Sequence, residues 1–239
     1  MSGRKRFFVD NITSREVVLD GEEFVHAKTV QRVEEGTEII LLDGSGKEYT
    51  AIVSKVEKRS LTANVISSAD GDKEPETEIY LMCGALKGDK TELVVQKAVE
   101  LGVSRIGIFS SEFCAAYMNG NKLERLNKVS REAAKQCMRS RAPEVIYFDK
   151  FSDALSSADG FENKLFACEF ADKSERDIGG LGGSTAIIVG SEGGFSEREA
   201  ECAQGAGFSS ISLGKRILRA ETAAIALTAV AAFALGELK

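Results

Sequence analysis

From Ile79 onward, short apolar runs alternate with longer amphipathic stretches, and this alternation restricts the fold more than any other feature. Ile79–Cys83, Arg105–Phe109, Val145–Phe148, Lys164–Cys168 and Ala186–Val189 read as strands. Thr91–Leu101 and a long stretch from Lys122 to about Ser140 read as helices. Strands that alternate with helices predict a mostly parallel α/β sheet. The N-terminal part differs. Glu38–Leu42, Tyr49–Val53 and Leu61–Ile66 read as strands around the turn Asp43-Gly44-Ser45-Gly46, and only Glu22–Glu34 has helical character. Ser67–Pro75 is polar and carries one of the two prolines, so it reads as a linker. The expected organisation is a small β domain over residues 1–72 and an α/β domain over residues 73–239.

Two loops near the C-terminus carry the functional signal. Ile187–Glu197 holds Gly190-Ser191-Glu192-Gly193-Gly194, and Ile211–Ala223 holds Gly214-Lys215-Arg216-Ile217-Leu218-Arg219. Each reads as strand, glycine loop and helix start. Two such strand ends side by side make the crevice where open α/β sheets bind ligands. The first loop fits neither of the common glycine-rich phosphate motifs, and Glu192 in its middle would repel a pyrophosphate. A carboxylate suits a ligand with hydroxyls or positive charge, as in S-adenosylmethionine. The other reading is a tight turn with Glu192 as a first-turn acid of the next helix. In the second loop, Arg219 and Glu221 read as a surface pair of little worth, or else Arg216 and Arg219 face an anionic or electron-rich substrate while Ile217 and Leu218 pack an adenine ring.

Charge is unevenly distributed. The net charge is −6, yet residues 87–141 hold eleven Lys or Arg against six Asp or Glu. Lys128, Arg131, Lys135 and Arg139 fall on one face of the long helix. That stripe fits phosphate-backbone contact, or simply a solvated helix face. Five cysteines stand singly and His26 is the only histidine, so free thiols, a reducing cytosol and no metal centre are expected. The basic Met1–Arg6 stretch is not followed by a signal-peptide core. The uncharged run Thr222–Gly236 is shorter than the roughly 20 residues that span a bilayer, so it reads as a core or interface helix.

Taken together, the motifs resemble those of the bacterial 16S rRNA uridine-N3 methyltransferase family (RsmE-like), within the SPOUT class of trefoil-knotted methyltransferases. The resemblance rests on Arg6-Phe7-Phe8-Val9, His26 with Val30-Gln31-Arg32 and Gly36, Asp43–Tyr49, Lys87–Glu92, Gln96–Val103, Glu132–Gln136 with Arg139 and Pro143, and both C-terminal loops. Ser191 stands where the family usually has proline, Gln31 where it has leucine, and Cys137-Met138 where Ser-Gly is common.

The resemblance implies a small N-terminal PUA-like β-barrel and a C-terminal SPOUT α/β-knot domain. It also implies a homodimer whose active site uses both subunits, acting on 16S rRNA of the 30S subunit. The absence of a signal-peptide core and of a spanning segment sets the expected location as the cytoplasm. S-adenosylmethionine would sit against Gly190, Glu192, Gly193, Gly194, Leu213, Gly214, Ile217 and Leu218. Arg219 and Glu221 would be catalytic. Arg6, His26, Arg32, Lys87, Lys90, Gln136 and Arg139 would contact RNA. A nucleotide-dependent oxidoreductase, a non-catalytic RNA-binding factor and a ribose or other base methyltransferase are the competing functions, because fold does not fix substrate.

Overall fold

The computed structural model describes residues 4–168 and 178–238, so the first three residues of the basic Met1–Arg6 stretch lie outside it. The chain divides into two compact units, residues 1–74 with 134–142, and residues 75–133 with 143–239.

The first unit is built on a sheet of five strands, β1 (Lys5–Phe8), β2 (Glu16–Leu19), β3 (Glu38–Leu42), β4 (Lys47–Val56) and β5 (Leu61–Asp70). Their order is β1-β3-β4-β5-β2, with β1 parallel to β3 and the other pairs antiparallel. Alternate residues Ile39, Leu41, Ala51, Val53, Leu61 and Ala63 point into one core, as period-2 patterning requires. Two register shifts between β4 and β5 bend the sheet. The expected barrel is a half-barrel, because β1 and β2 lie at opposite edges.

Two local expectations differ from what is observed. The polar stretch Ser67–Asp70 belongs to β5, paired with Lys47–Thr50, and is not linker. Its composition reflects exposure, and the neighbouring strand satisfies its backbone regardless. The helix expected over Glu22–Glu34 is short: α1 (Gly21–Val25) passes into a π-helical turn, His26–Val30. Arg32, at φ 50°, ends it in the left-handed region.

Glu74 holds the segment 134–142 in this unit. Its carboxylate accepts from Arg139 Nη2 at 2.9 Å and from the amides of Ser140 and Arg141, both at 2.8 Å. Burial pushes the Glu74 carboxyl up, but Arg139 and the two amides outweigh it and hold it below the ordinary glutamate value of 4.5. Its stabilisation is therefore complete above pH 4.5 and is lost as pH falls through the lowered value. Glu74→Gln is expected to cost about 3 kcal/mol, since Arg139 loses a carboxylate partner while buried. A urea midpoint unchanged from wild type at pH 7 would contradict this.

The second unit is a six-stranded parallel sheet of β6 (Ile79–Gly84), β7 (Arg105–Phe109), β8 (Val145–Phe148), β9 (Asn163–Ala167), β10 (Thr185–Val189) and β11 (Ser209–Ile211). The order is β11-β9-β10-β6-β7-β8. The central strands β6 and β10 are buried along their whole length, which is why they read as continuous apolar runs. The chain runs outward through β7 and β8, returns to β9, inserts β10 beside β6 and places β11 outside β9. The helices are α2 (Lys90–Glu100), α3 (Gly120–Gln136), α4 (Phe151–Ser156), α5 (Glu197–Gly205) and α6 (Ala220–Ala234). Helix α6 packs on α2, β6 and β10, while α4 packs on α5, β7 and β8.

Helix α3 stops at Gln136, short of the expected Ser140. Met138 takes φ 67° and the Arg139 amide donates back to the Ala134 carbonyl at 2.9 Å, which closes the helix. A left-handed Met costs roughly 1 kcal/mol that a glycine would not.

Candidate ligand cavity at the strand ends

The carboxyl ends of β9, β10 and β11 open into a cavity of about 590 Å³. It is lined by Ala167 and Cys168, by the whole of Val189–Phe195 and by Ile211–Ala220, with Lys90 entering from α2. All eight residues expected to hold the cofactor line it, as does Arg219.

The first loop is held open by packing beneath it. The Phe195 ring is buried against Phe109, Phe151 and Phe166, with ring centroids 4.7–6.2 Å apart. Gly194, at φ 70°, closes a turn in which its amide donates to the Ser191 carbonyl at 2.9 Å. A Cβ on Gly193 would lie 2.6 Å from Phe113, and one on Gly84 would lie 2.5 Å from the Ser191 amide nitrogen. The loop thus passes so close to β6 and to Phe113 that only glycine fits. Gly84 escaped the sequence reading, although a glycine ending a buried strand marks close backbone approach.

Helix α5 is capped by its own residues. Ser196 Oγ accepts from the Glu199 amide at 3.3 Å, and Glu199 accepts from the Ser196 amide at 3.0 Å. Glu192 is therefore not the first-turn acid of that helix. It accepts instead from the Lys87 amide at 3.0 Å and from Lys90 Nζ at 3.2 Å. Burial pushes the Glu192 carboxyl up, but the Lys87 amide and Lys90 prevail and hold it below the usual range. The cavity wall therefore carries an ionised carboxylate at neutral pH. Ser191 Oγ is buried beneath the loop with no hydrogen-bond partner.

The second loop is more exposed. Gly214 takes φ 106°, and Ile217 is 87% exposed, an apolar side chain held out of any core. Arg219 is exposed at the start of α6 and makes no ion pair among the described residues. The surface pair with Glu221 is not formed. Glu221 lies 3.7 Å from Lys90 Nζ, so Lys90 stands between two carboxylates. Glu221 is not in the cavity wall, and its Oε2 is buried without a hydrogen bond. Cys83 lies at the end of β6, where burial and the nearby carboxylates push its thiol up to about 12. It stays protonated at neutral pH and is no nucleophile.

The residues expected at RNA are scattered. Lys90 lines the cavity and pairs with Glu192 while its side chain stays partly exposed. Lys87, Arg32 and Gln136 are exposed. The basic stripe is split: Lys128 and Arg131 are exposed, whereas Lys135 pairs with Glu23 at 3.0 Å and Arg139 with Glu74. Arg6 is bound to Glu48 with its side chain 10% exposed. Arg6 and Arg139 are thus committed to internal carboxylates and present no guanidinium to a ligand. Helical spacing places the basic residues on one face but does not say what covers that face. Among the described residues no cluster of His, Cys, Asp or Glu is arranged to hold a metal, and no helix is long and apolar enough to cross a membrane.

Comparison with known proteins agrees with this geometry. An RNA methyltransferase domain model matches residues 73–232, and an RNA methyltransferase PUA domain model matches residues 19–66. Ribosomal RNA small subunit methyltransferase E of Mesomycoplasma hyopneumoniae is 34% identical, over 93% of this chain and 96% of its own. That of Bacillus subtilis is 30% identical, over 95% of each. The crystal structure of the Neisseria gonorrhoeae enzyme bound to S-adenosyl methionine superposes with a TM-score of 0.84 at 31% identity, over 95% of this chain and 96% of that one. With a family model covering most of its length and such relatives along nearly all of it, the chain belongs to the ribosomal RNA small subunit methyltransferase E family.

Proposed function

We propose that this protein methylates N3 of a uridine in 16S rRNA of the small ribosomal subunit, using S-adenosylmethionine bound in the cavity at the ends of β9, β10 and β11. The observation that carries the reading is the chemistry of that cavity wall. Glu192 offers an ionised carboxylate, and the glycine loop exposes backbone beside it at Gly193 and Gly194. These groups suit a cation with ribose hydroxyls and oppose a polyphosphate. Ile217 and Leu218 give an adenine ring an apolar seat.

S-adenosylmethionine supplies an electrophilic methyl group on a sulfonium. The protein's part is to position N3 in line with it and to stabilise the anion that forms as N3 loses its proton. Arg219, exposed on the cavity wall without a competing carboxylate, is assigned to that anion. Glu221 lies outside the wall and is assigned to holding Lys90, and Lys90 in turn to holding Glu192. The N3 proton then passes to water. His26, Arg32, Lys87 and Gln136 remain as contacts to RNA. The C-terminal path is assigned as knotted, in keeping with the insertion of β10 between β6 and β9.

The test is methyl transfer from labelled S-adenosylmethionine to 30S subunits that lack the modification, followed by nucleoside analysis. N3-methyluridine is the expected product. A 2′-O-methylated nucleoside, or no transfer to 30S or naked 16S rRNA, would reject the assignment.

A homodimer working in the cytoplasm completes the reading. Thr222, Ala226, Ala229, Val230 and Phe233 form one uncharged face of α6, on which Phe233 is 71% exposed. An exposed apolar face of this kind suits an isologous interface. Phe233→Glu is expected to shift the sedimentation coefficient from dimer to monomer at micromolar concentration. A variant that sediments like wild type would remove this face from the interface.

A further inference from the structure

The first unit carries a groove that the cavity above does not use. It has a volume of about 670 Å³ and is walled by α1 and the π-helical turn on one side, with Lys58 and Arg59 at the tip of the β4–β5 hairpin on the other. Phe24, Val25 and Val30 make it apolar, and Val25 and Val30 stay 55% and 65% exposed. Lys58 and Arg59 have no hydrogen-bond or ion-pair partner among the described residues, and the lining holds one carboxylate, Glu22. A π-helical turn is an uncommon backbone that recurs at functional sites.

His26 gives the groove direction. Lys135 Nζ, held by Glu23 at 3.0 Å, lies 3.3 Å from His26 Nδ1. An ammonium only donates, so Nδ1 accepts and the ring proton sits on Nε2. Phe7 packs edge-on against the imidazole at 6.0 Å between centroids and fixes its plane. The groove therefore combines an apolar wall, one oriented N–H donor and two uncommitted cations.

We propose that this groove seats an unpaired nucleotide of the RNA substrate, with its base against Val25 and Val30, His26 Nε2–H donating to a base or sugar oxygen, and adjoining phosphates on Lys58 and Arg59. Single-stranded RNA is read in this way, by a base laid on an apolar surface with cations along the backbone. An apolar peptide would fill the walls but leave the two cations and the oriented donor unmatched. The inference rests on the rRNA reading above.

The test uses the full chain and a fluorescein-labelled single-stranded RNA dodecamer, with the same sequence as a duplex for comparison. Anisotropy is measured for wild type, Lys58→Ala/Arg59→Ala, His26→Leu and Val30→Asp. Wild type is expected to prefer the single strand. The double variant should bind it about tenfold more weakly at low salt, with the slope of log K against log salt reduced by about 1.4, two phosphates' worth. His26→Leu and Val30→Asp should each weaken it several-fold. S-adenosylmethionine affinity should match wild type throughout. The melting temperature should match in Lys58→Ala/Arg59→Ala and in Val30→Asp, whereas His26→Leu lowers it because Lys135 loses an acceptor. Binding of the dodecamer within twofold of wild type by all three variants, or no single-strand binding by wild type, overturns the proposal. So does weakening seen with 30S subunits but not with the dodecamer, which would mean a protein partner. Methyl transfer to rRNA by wild type separates these outcomes from failure of the functional reading itself.

Discussion

Arg219→Ala is expected to lower the rate of methyl transfer by about 10²- to 10³-fold, with cofactor affinity changed less than about threefold. The size follows from what the guanidinium can do at that position. It is exposed on the cavity wall and makes no ion pair among the described residues, so its charge is available to an anion forming on the substrate. The split between rate and affinity follows from its backbone role. Arg219 begins α6 without any side-chain capping bond, so alanine removes no structural contact from the helix. Single-turnover rates at saturating cofactor, with calorimetric affinity beside them, decide the matter. A rate within threefold of wild type would take Arg219 out of the chemistry. Arg219→Lys should recover part of the rate, because charge returns without the planar fork.

Gly84→Ala should weaken S-adenosylmethionine binding by about 10- to 100-fold, which corresponds to about 1.4–2.8 kcal/mol. The added Cβ would lie 2.5 Å from the Ser191 nitrogen and 3.0 Å from the Gly190 carbonyl carbon, both backbone atoms. Strand β6 cannot yield, because β10 and β7 pair with it on both sides. The glycine loop must move instead, and with it the carboxylate of Glu192. Overpacking of this kind typically costs about 1–3 kcal/mol, so the melting temperature should fall as well. Gly205→Ala in α5 is the control: its Cβ would meet nothing within 4 Å, and neither stability nor affinity should fall. Unchanged cofactor affinity in Gly84→Ala would show that the loop has slack the packing does not reveal.

Most strands were legible because a strand buried on both faces must be apolar throughout, as β6 and β10 are. The C-terminal part of β5 was not, since exposed polar residues in a ladder look like loop. The end of α3 was hidden for a different reason. Met138 adopts a backbone that its residue type disfavours, so nothing in the local sequence announced the stop. The two glycine loops were legible because strand, glycine and helix start recur there in order.

The sequence by itself determined the α/β alternation, the β-rich first part and the pair of loops that make the cavity, because these depend on local period and on glycine. Only the tertiary structure decided which charges meet. Lys90 and Glu192 are 102 residues apart and touch because β10 lies beside β6. Arg139 and Lys135 look like an exposed basic face until Glu74 and Glu23 are found against them. Charge pairing is set by which strands become neighbours, and that choice is made by burial of the whole core rather than by the residues that end up paired.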